Sequence, residues 1–214
     1  MESLKIKKII FDLDNTLLFI SSNWNDYYQR LIDKYNFKTT PEELYSTIGS
    51  FERNNVDKII TKDYFIKYIN EKLPINFTEE ILENFLSNYA DIPLLNLDII
   101  TNVLTYLSQK YELIVYSNWF AESQVLRLRK NNLLQFFTKI YGDDTLPIKP
   151  SKRGLEKLIG DDNIEDFVFI GDDISIDLEM PQSIGMDTIF YNRKNIEQDK
   201  YREIHDIEEL IELL

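Results

Sequence analysis

The 214-residue sequence contains no cysteine and only one histidine. The lack of cysteine excludes disulfide bonds and thiolate catalysis, although it does not by itself identify a cellular compartment. The single histidine, His205, lies in a late polar segment and is expected at the surface. With these two residue types nearly absent, a zinc site is disfavoured. Any metal site is expected to use oxygen ligands.

Positive charge is also scarce and scattered. The chain has 24 Lys and Arg against 37 Asp and Glu, which gives a formal net charge of −13. A nucleic-acid polymer is not expected as a partner, because its phosphate backbone would be repelled without a segregated basic patch. A small anionic substrate is still compatible with this charge, because a bound divalent cation can reverse the local sign of a carboxylate cluster.

Long hydrophobic runs are missing as well. The apolar run at residues 9–20, IIFDLDNTLLFI, is broken by two aspartates, and it therefore predicts neither a signal sequence nor a membrane span. A hydrophobic content of 43% with 13% aromatic residues is typical of a folded globular protein. We expect a cytoplasmic protein without a membrane partner, and no pattern indicates its oligomeric state.

Short apolar runs alternate with helical patterns in much of the chain. The predicted strands are residues 9–11, 113–116, 167–170 and 188–191, and the predicted helices between and after them are 97–107, 122–134, 154–159 and 207–214. This alternation predicts an α/β fold, a Rossmann-like, doubly wound parallel sheet with helices on both faces.

Residues 21–91 break the alternation. Four helical patterns, 24–35, 41–51, 61–73 and 78–90, follow one another without a strand between them, and Pro41 and Thr78 are typical of helix starts. We therefore predict an all-helical cap inserted after the first strand. In this division residues 1–17 and 95–214 form the catalytic core, and residues 18–94 form the cap.

Polar residues follow the predicted strands. They are Asp12 and Asp14 after the first strand, Ser117 and Asn118 after the second, and Asp172, Asp173 and Asp177 after the third, with Lys149 just ahead of a helix. The carboxyl ends of parallel strands share one edge of a sheet, where ligands bind. Carboxylates that converge there repel one another, so a cation is expected. Magnesium fits, because it prefers one or two carboxylates together with water and a phosphate oxygen.

Such a cation would allow a phosphate monoester to approach. Lys149, the hydroxyl of Ser117 and the amide of Asn118 could then bind the remaining phosphate oxygens. One carboxylate could attack phosphorus to give an aspartyl phosphate that water later hydrolyses, and a carboxylate two residues further on could transfer protons.

Four segments resemble, in order, the motifs of the haloacid dehalogenase-like (HAD) superfamily. They are FDLDNT (residues 11–16), VYSN (115–118), Lys149 within IKPSKRG (148–154), and GDDISID (171–177). The pattern spans roughly residues 6 to 190, and four motifs in order are much more specific than one. The chain is similar to the phosphatase branch with a helical, C1-type cap, which includes nucleotidases and phosphoglycolate phosphatases.

The resemblance implies a role for each matching residue. Asp12 would be the nucleophile and Asp14 the general acid/base, and Ser117 and Lys149 would stabilise the phosphate and the intermediate. Magnesium would be bound by Asp12, the main-chain carbonyl of Asp14, and Asp172. Dehalogenation is disfavoured, because the dehalogenases of the superfamily lack an aspartate two residues after the nucleophile.

Several positions are less specific. The resemblance implies that Asp173 and Asp177 hold water or Lys149 from outside the metal shell, but Asp173 could also be a solvated turn residue and Asp177 a helix cap. Residues 117–137 resemble nucleotide monophosphatases, in which glycine is common in place of Trp119. An indole there would narrow the mouth of the site or offer a stacking surface. Pro181 falls in a segment expected to be helical, and the first helical turn tolerates proline.

The sequence thus predicts a magnesium-dependent phosphatase for a small phosphorylated metabolite, with a nucleoside monophosphate as the first candidate. Two alternatives stay open. A phosphotransferase would pass the phosphoryl group to a hydroxyl, and a phosphate-binding or receiver-like module would not turn over. The receiver is disfavoured by its motif order, its shorter length and its lack of a helical insert.

Overall fold

The computed structural model describes residues 6–21 and 23–214, and its centre is a parallel β-sheet. The strands in these residues are β1 (Lys8–Phe11), β2 (Phe19–Ile20), β3 (Leu94–Leu95), β4 (Glu112–Tyr116), β5 (Lys139–Tyr141), β6 (Phe167–Gly171), β7 (Asp187–Tyr191) and β8 (Arg202–Ile204). Six of them form the parallel sheet in the order β5-β4-β1-β6-β7-β8. β2 and β3 form a separate antiparallel pair.

Helices cover both faces of this sheet. The helices of the described residues are α1 (Trp24–Tyr35), α2 (Pro41–Asn54), α3 (Lys62–Lys72), α4 (Glu79–Tyr89), α5 (Leu97–Ser108), α6 (Ala121–Lys130), α7 (Lys152–Ile159), α8 (Glu179–Ser183) and α9 (Leu210–Leu213). In β1, Ile9 and Phe11 belong to a cluster that also contains residues of α5, α6 and α9. Ile10 belongs to a second cluster with residues of α7. Successive strand residues point to opposite faces, so both faces are buried, and the predicted doubly wound α/β fold is confirmed.

The four predicted strands are confirmed to within one residue at either end. They read as continuous apolar runs because helices cover both faces of the sheet. β5 and β8 were not predicted. Each is a three-residue strand at a sheet edge with exposed or half-buried positions, too short for a periodic pattern.

Four helices, α1 to α4, lie between β1 and the rest of the sheet, as the sequence predicts. Thr40, Thr61 and Thr78 each accept a hydrogen bond from the N–H three residues on, and Pro41 occupies the first turn of α2. These helices share their own hydrophobic cluster, which includes Phe51 and Phe85. The β2–β3 pair joins the two segments that lead into and out of them. The division at residues 18 and 94 stays a prediction.

Three helical segments differ from the sequence pattern. The helix predicted for residues 122–134 ends at Lys130, because the chain turns at Asn132, which has a left-handed φ of 56°. The predicted C-terminal helix is a 3-10 turn at Ile207–Glu209 followed by the short α9. Pro181 lies in the first turn of α8, directly after a π-helical turn at Ile174–Leu178. The first turn of a helix tolerates proline because a backbone N–H is not needed there. None of the helices described combines the length and apolarity needed to cross a membrane.

Candidate active site

The candidate site lies at the carboxyl ends of β4, β1 and β6. From β1 the sheet continues through β4 and β5 on one side and through β6, β7 and β8 on the other. Ligands of open parallel sheets bind at such a switch point. Asp12, Ser117 and Asp172 are each the first residue after one of these three strands. The fold therefore brings them to a single edge.

Asp12 forms a buried ion pair with Lys149. The Nζ atom of Lys149 lies 2.8 Å from Oδ1 of Asp12, and the hydroxyl of Thr16 donates to Oδ2 at 3.1 Å. Lys149 also donates to Oδ1 of Asp177 at 2.6 Å. Burial raises the pKa of the Asp12 carboxyl, and Lys149 offsets only part of this effect. Burial disfavours the charged lysine, but Asp12 and Asp177 outweigh it and raise the pKa of Lys149.

Asn118 holds the main chain of Lys149. Its side-chain oxygen accepts from the N–H of Lys149 at 2.7 Å, and its side-chain nitrogen donates to the carbonyl of Lys149 at 3.1 Å. Both polar atoms of this side chain are therefore used to orient the lysine. Within the described chain the main-chain N–H of Asn118 has no hydrogen-bond partner. This N–H is the amide left to bind a ligand, and that role stays a prediction.

The Asp14 carboxylate is bound to a buried arginine. Nη1 of Arg127 donates to Oδ2 at 3.0 Å, and Nη2 lies 2.8 Å from Oδ1 without good hydrogen-bond alignment. The hydroxyl of Tyr89 donates to Oδ1 at 3.2 Å. The Arg127 guanidinium lies 4.3 Å from the centre of the Tyr89 ring, which adds a cation–π contact. Asp14 is thus bound by α6 and by α4.

Ser117 is linked to Asp14 through α6. Gln124 donates to the hydroxyl of Ser117 at 2.9 Å and accepts from Nη1 of Arg127 at the same distance. Gln124 and Arg127 are almost fully buried and are three residues apart, so both lie on the inner face of α6. A continuous polar chain therefore runs from Ser117 to Asp14.

The acidic residues after β6 fall into two groups. Carboxylate oxygens of Asp12, Asp172 and Asp177 all lie within 4.8 Å of one another. Burial, followed by the nearby charge of Asp12, raises the pKa of Asp172 to about 6. Asp173 instead caps the following turn, because its Oδ1 accepts from the N–H groups of Ser175 and Ile176. Its side chain thus forms an N-cap, whereas the sequence left open for Asp173 only a solvated turn residue or a group outside the metal shell.

Asp177 holds both Lys149 and the turn after β6. Its Oδ1 is bound to Lys149, and its Oδ2 accepts from the N–H of Asp173 at 3.2 Å. Gly171 makes this packing sterically feasible, because a Cβ atom there would lie 2.4 Å from the Cβ of Asp177. The expected contact between Asp177 and Lys149 is present.

A cavity of about 390 Å³ lies between these residues and the helices α1, α2 and α4. Its aromatic lining consists of Trp24, Tyr28, Tyr45, Phe85, Tyr89 and Trp119. Trp119 is buried among other aromatic rings and forms part of the wall. Tyr28 packs in the hydrophobic cluster of α1 to α4 and also lines the cavity. His205 is exposed, as expected.

Several residues of the site were missed by the sequence analysis. Arg127, Gln124 and Tyr89 surround Asp14, and Glu52 lines the cavity from α2. Arg127 and Gln124 could have been found as polar residues on the apolar face of a helix. Glu52 and Tyr89 give no such signal, because a glutamate or a tyrosine within an amphipathic helix is ordinary.

Comparison with known proteins identifies relatives of the whole chain. The profile of the family "Haloacid dehalogenase-like hydrolase" matches residues 9–191. YfnB of Bacillus subtilis, which bears the name HAD-hydrolase, is 25% identical over an alignment covering 98% of this chain and 96% of YfnB. The structure of YfnB bound to magnesium superimposes with a TM-score of 0.73 at 22% identity and covers 98% of each chain.

Two further solved structures share the fold. A 2-haloacid dehalogenase from Pseudomonas syringae superimposes with a TM-score of 0.72 at 20% identity, and a HAD phosphatase from Thermococcus onnurineus with 0.66 at 20% identity; each comparison covers 97% of both chains. At these identities the structures show the fold alone. The family match covers most of the chain, including the strands that carry the site, and the protein belongs to the haloacid dehalogenase-like hydrolase family.

Proposed function

We propose that the protein is a magnesium-dependent phosphatase that hydrolyses a small phosphomonoester through Asp12. The observation that carries this proposal is the pair of carboxylates two residues apart on one cavity, Asp12 bound to Lys149 and Asp14 bound to Arg127. One carboxylate is available for attack on phosphorus, and the other for proton transfer. Ser117 lines the same cavity and supplies a hydroxyl.

Magnesium fits the donors of the site. The cluster of Asp12, Asp172 and Asp177 offers only oxygen atoms, which hard divalent cations prefer, and a cation would favour the ionised forms that burial disfavours. Both carboxylate oxygens of Asp177 are already bound, Oδ1 to Lys149 and Oδ2 to the N–H of Asp173, so we assign the ion to Asp12, Asp172 and the main-chain carbonyl of Asp14. When bound, it would neutralise the carboxylates and polarise a phosphate oxygen. The magnesium-bound structure of YfnB supports this assignment by family likeness.

The reaction proposed for these residues has two steps. A carboxylate oxygen of Asp12 forms a bond to phosphorus while the bond to the leaving oxygen breaks, and Asp14 donates a proton to that oxygen. Water then attacks phosphorus, Asp14 takes a proton from it, and the bond to Asp12 breaks to release phosphate. Lys149 carries three N–H donors, of which two are used by Asp12 and Asp177, so one is left for a phosphate oxygen.

The helices α1 to α4 are proposed to act as a cap over this site. They supply most of the aromatic wall, and covering the site would limit the access of water. Trp24 and Tyr89 stack on each other with ring centres 5.4 Å apart, so the cavity is bordered by flat apolar surfaces. A nucleoside monophosphate, whose base can stack, is therefore the first substrate to test.

The test is phosphate release from a panel of nucleotides, sugar phosphates and aryl phosphates, with magnesium or with a chelator. We expect magnesium-dependent release, lost in Asp12→Asn. Asp63→Asn, at an exposed position of α3, is the matched control and should retain activity. No release from any monoester by the native protein, or full activity in Asp12→Asn, would reject the proposal.

Dehalogenation and phosphoryl transfer to an alcohol are distinguished from hydrolysis by their products. Halide release from 2-haloacids would identify a dehalogenase, which Asp14 makes the less favoured assignment. Transfer to an added alcohol, with less inorganic phosphate than leaving group formed, would identify a phosphotransferase. Equal amounts of phosphate and leaving group are expected for hydrolysis.

A further inference from the structure

Glu52 is a carboxyl in the cavity wall that neither the fold nor the proposed reaction uses. It lies in the last turn of α2, is half-buried, and lines the cavity together with Asp12, Asp14 and Lys149. Among residues 6–21 and 23–214, no side chain forms an ion pair with it, and none donates a hydrogen bond to its carboxyl. Its carboxyl therefore has no partner among these residues and borders the cavity.

The surroundings of Glu52 disfavour negative charge. Burial, and then the charge of Asp14, raise its pKa to about 8, while Lys149 and Arg53 lower it only in part. Lys149 is already bound to two aspartates, and Arg53 is exposed and donates to Ser50. Asp143 adds a further buried carboxyl, and its pKa is raised by burial and by Glu52. The carboxyl end of α2 contributes partial negative charge as well.

An unpartnered carboxyl in such a place costs stability, because the hydration it loses is not replaced by protein hydrogen bonds. A group that enters the cavity can supply the missing donor. A neutral or cationic donor would be attracted by the excess of carboxylates on this side, and a second anion would be repelled by it. The phosphate itself would be bound by Lys149 and Ser117, which line the same cavity.

We propose that Glu52 is a specificity-determining residue that accepts a hydrogen bond from the leaving group. When ionised, it favours leaving groups with a neutral or cationic donor, such as an N–H or a hydroxyl, and disfavours those with a carboxylate or a second phosphate. The inference rests on the proposed phosphatase function and defines its substrate class more closely. The aromatic wall beside Glu52 favours a flat leaving group that carries the donor at its far edge.

The test uses three phenyl phosphates that differ only in a para substituent: hydroxymethyl, aminomethyl or carboxylate. The kcat/KM of each is measured with magnesium at about pH 9, above the raised pKa of Glu52. The wild-type protein should prefer the hydroxymethyl and aminomethyl compounds over the carboxylate by about tenfold, the effect of one like charge in a partly hydrated pocket, or about 1.4 kcal/mol. Glu52→Gln should reduce this preference to within about threefold, mainly through faster turnover of the carboxylate compound.

Glu71→Gln is the matched control, because it removes the same charge from an exposed position on α3. It should keep the wild-type preference. The inference is overturned if the wild-type protein does not discriminate, or if Glu52→Gln discriminates as strongly as the wild type. Unsubstituted phenyl phosphate tests the function separately.

If no form of the protein hydrolyses any of these compounds, the proposed function fails, and the preference is measured as binding of the three compounds to Asp12→Asn by calorimetry. A preference of about tenfold in dissociation constant in Asp12→Asn, lost in the double variant with Glu52→Gln, would support the inference on its own. No binding, or equal binding of all three, would overturn it.

Discussion

Replacing Arg127 by methionine should destabilise the protein and disorganise the proposed proton-transfer group. Arg127 is 1% exposed, and its guanidinium contacts the Asp14 carboxylate at 2.8 and 3.0 Å, the Gln124 side chain at 2.9 Å and the ring of Tyr89. Methionine fills much of the same space without a charge. The change therefore tests the ion pair more than the packing.

The expected loss of stability depends on the hydrogen bonds that Asp14 would keep. Removing one partner of a buried ion pair typically costs about 3–5 kcal/mol, because the other charge is left uncompensated. Asp14 would keep the hydroxyl of Tyr89 and the amide of Gln124, and its side chain is 28% exposed toward the cavity. The lower end of that range, about 3 kcal/mol, is therefore expected, equivalent to a fall in melting temperature of about 6–12 °C for a chain of this size.

The assay is chemical and thermal unfolding of a double-mutant cycle. Arg127→Met, Asp14→Asn and the double variant are compared, and the coupling free energy between the two sites should be about 2–3 kcal/mol. Arg129→Met is the matched control, because Arg129 is the exposed neighbour on α6 and its loss should change stability by less than about 0.5 kcal/mol. A loss below about 1 kcal/mol in Arg127→Met, or a coupling near zero, would refute the assignment of Arg127 as the buried counter-charge of Asp14.

Two further changes test the other half of the site. Lys149→Met should abolish phosphate release and destabilise the protein by about 3 kcal/mol or more near neutral pH. Burial raises the pKa values of Asp12 and Asp177, so as pH rises the unfolded chain loses these protons before the folded chain does, and stability falls. The Lys149→Met variant should therefore have a higher melting temperature at about pH 5 than at about pH 8. A melting temperature that rises with pH would contradict this. Gly171→Ala should displace Asp177, because the Cβ of Asp177 lies 2.4 Å from the position of the new methyl group. We expect a loss of about 1–3 kcal/mol in the free energy of unfolding, together with a loss of activity. Unchanged unfolding and activity would show that this contact relaxes freely.

The sheet and its acidic edge could be predicted from sequence because each is fixed by a local pattern. β1, β4, β6 and β7 are buried on both faces, so their apolar runs are unbroken, and the first polar residue after each run marks the end of a strand. Asp12, Ser117 and Asp172 were found in this way. The edge strands β5 and β8 were missed, because three residues with exposed positions carry no pattern of their own.

The partners of Asp14 could not be predicted, because they depend on how helices pack rather than on any local run. Tyr89 lies 75 positions from Asp14 in the sequence, and Arg127 lies 113 positions away. A buried arginine on the inner face of α6 becomes informative only when its partner is known. Likewise, the hydrogen bonds by which the Asn118 side chain holds the main chain of Lys149 depend on the fold and could not be predicted from the sequence.

The predictable and unpredictable residues of the site come from different parts of the fold, and this difference bears on substrate choice. The residues proposed for the chemistry stand at the carboxyl ends of β1, β4 and β6 or, like Lys149, are bound to one that does. The residues proposed to face the leaving group come from α1, α2 and α4, where one turn more or less of helix would present a different side chain to the cavity. Tyr89 joins the two sets, since it lines the cavity and donates to Asp14. A leaving group that displaced the Tyr89 ring would also disturb the hydrogen bond to Asp14. In the proposed reaction, binding of the leaving group and proton transfer to it would therefore be coupled through one side chain.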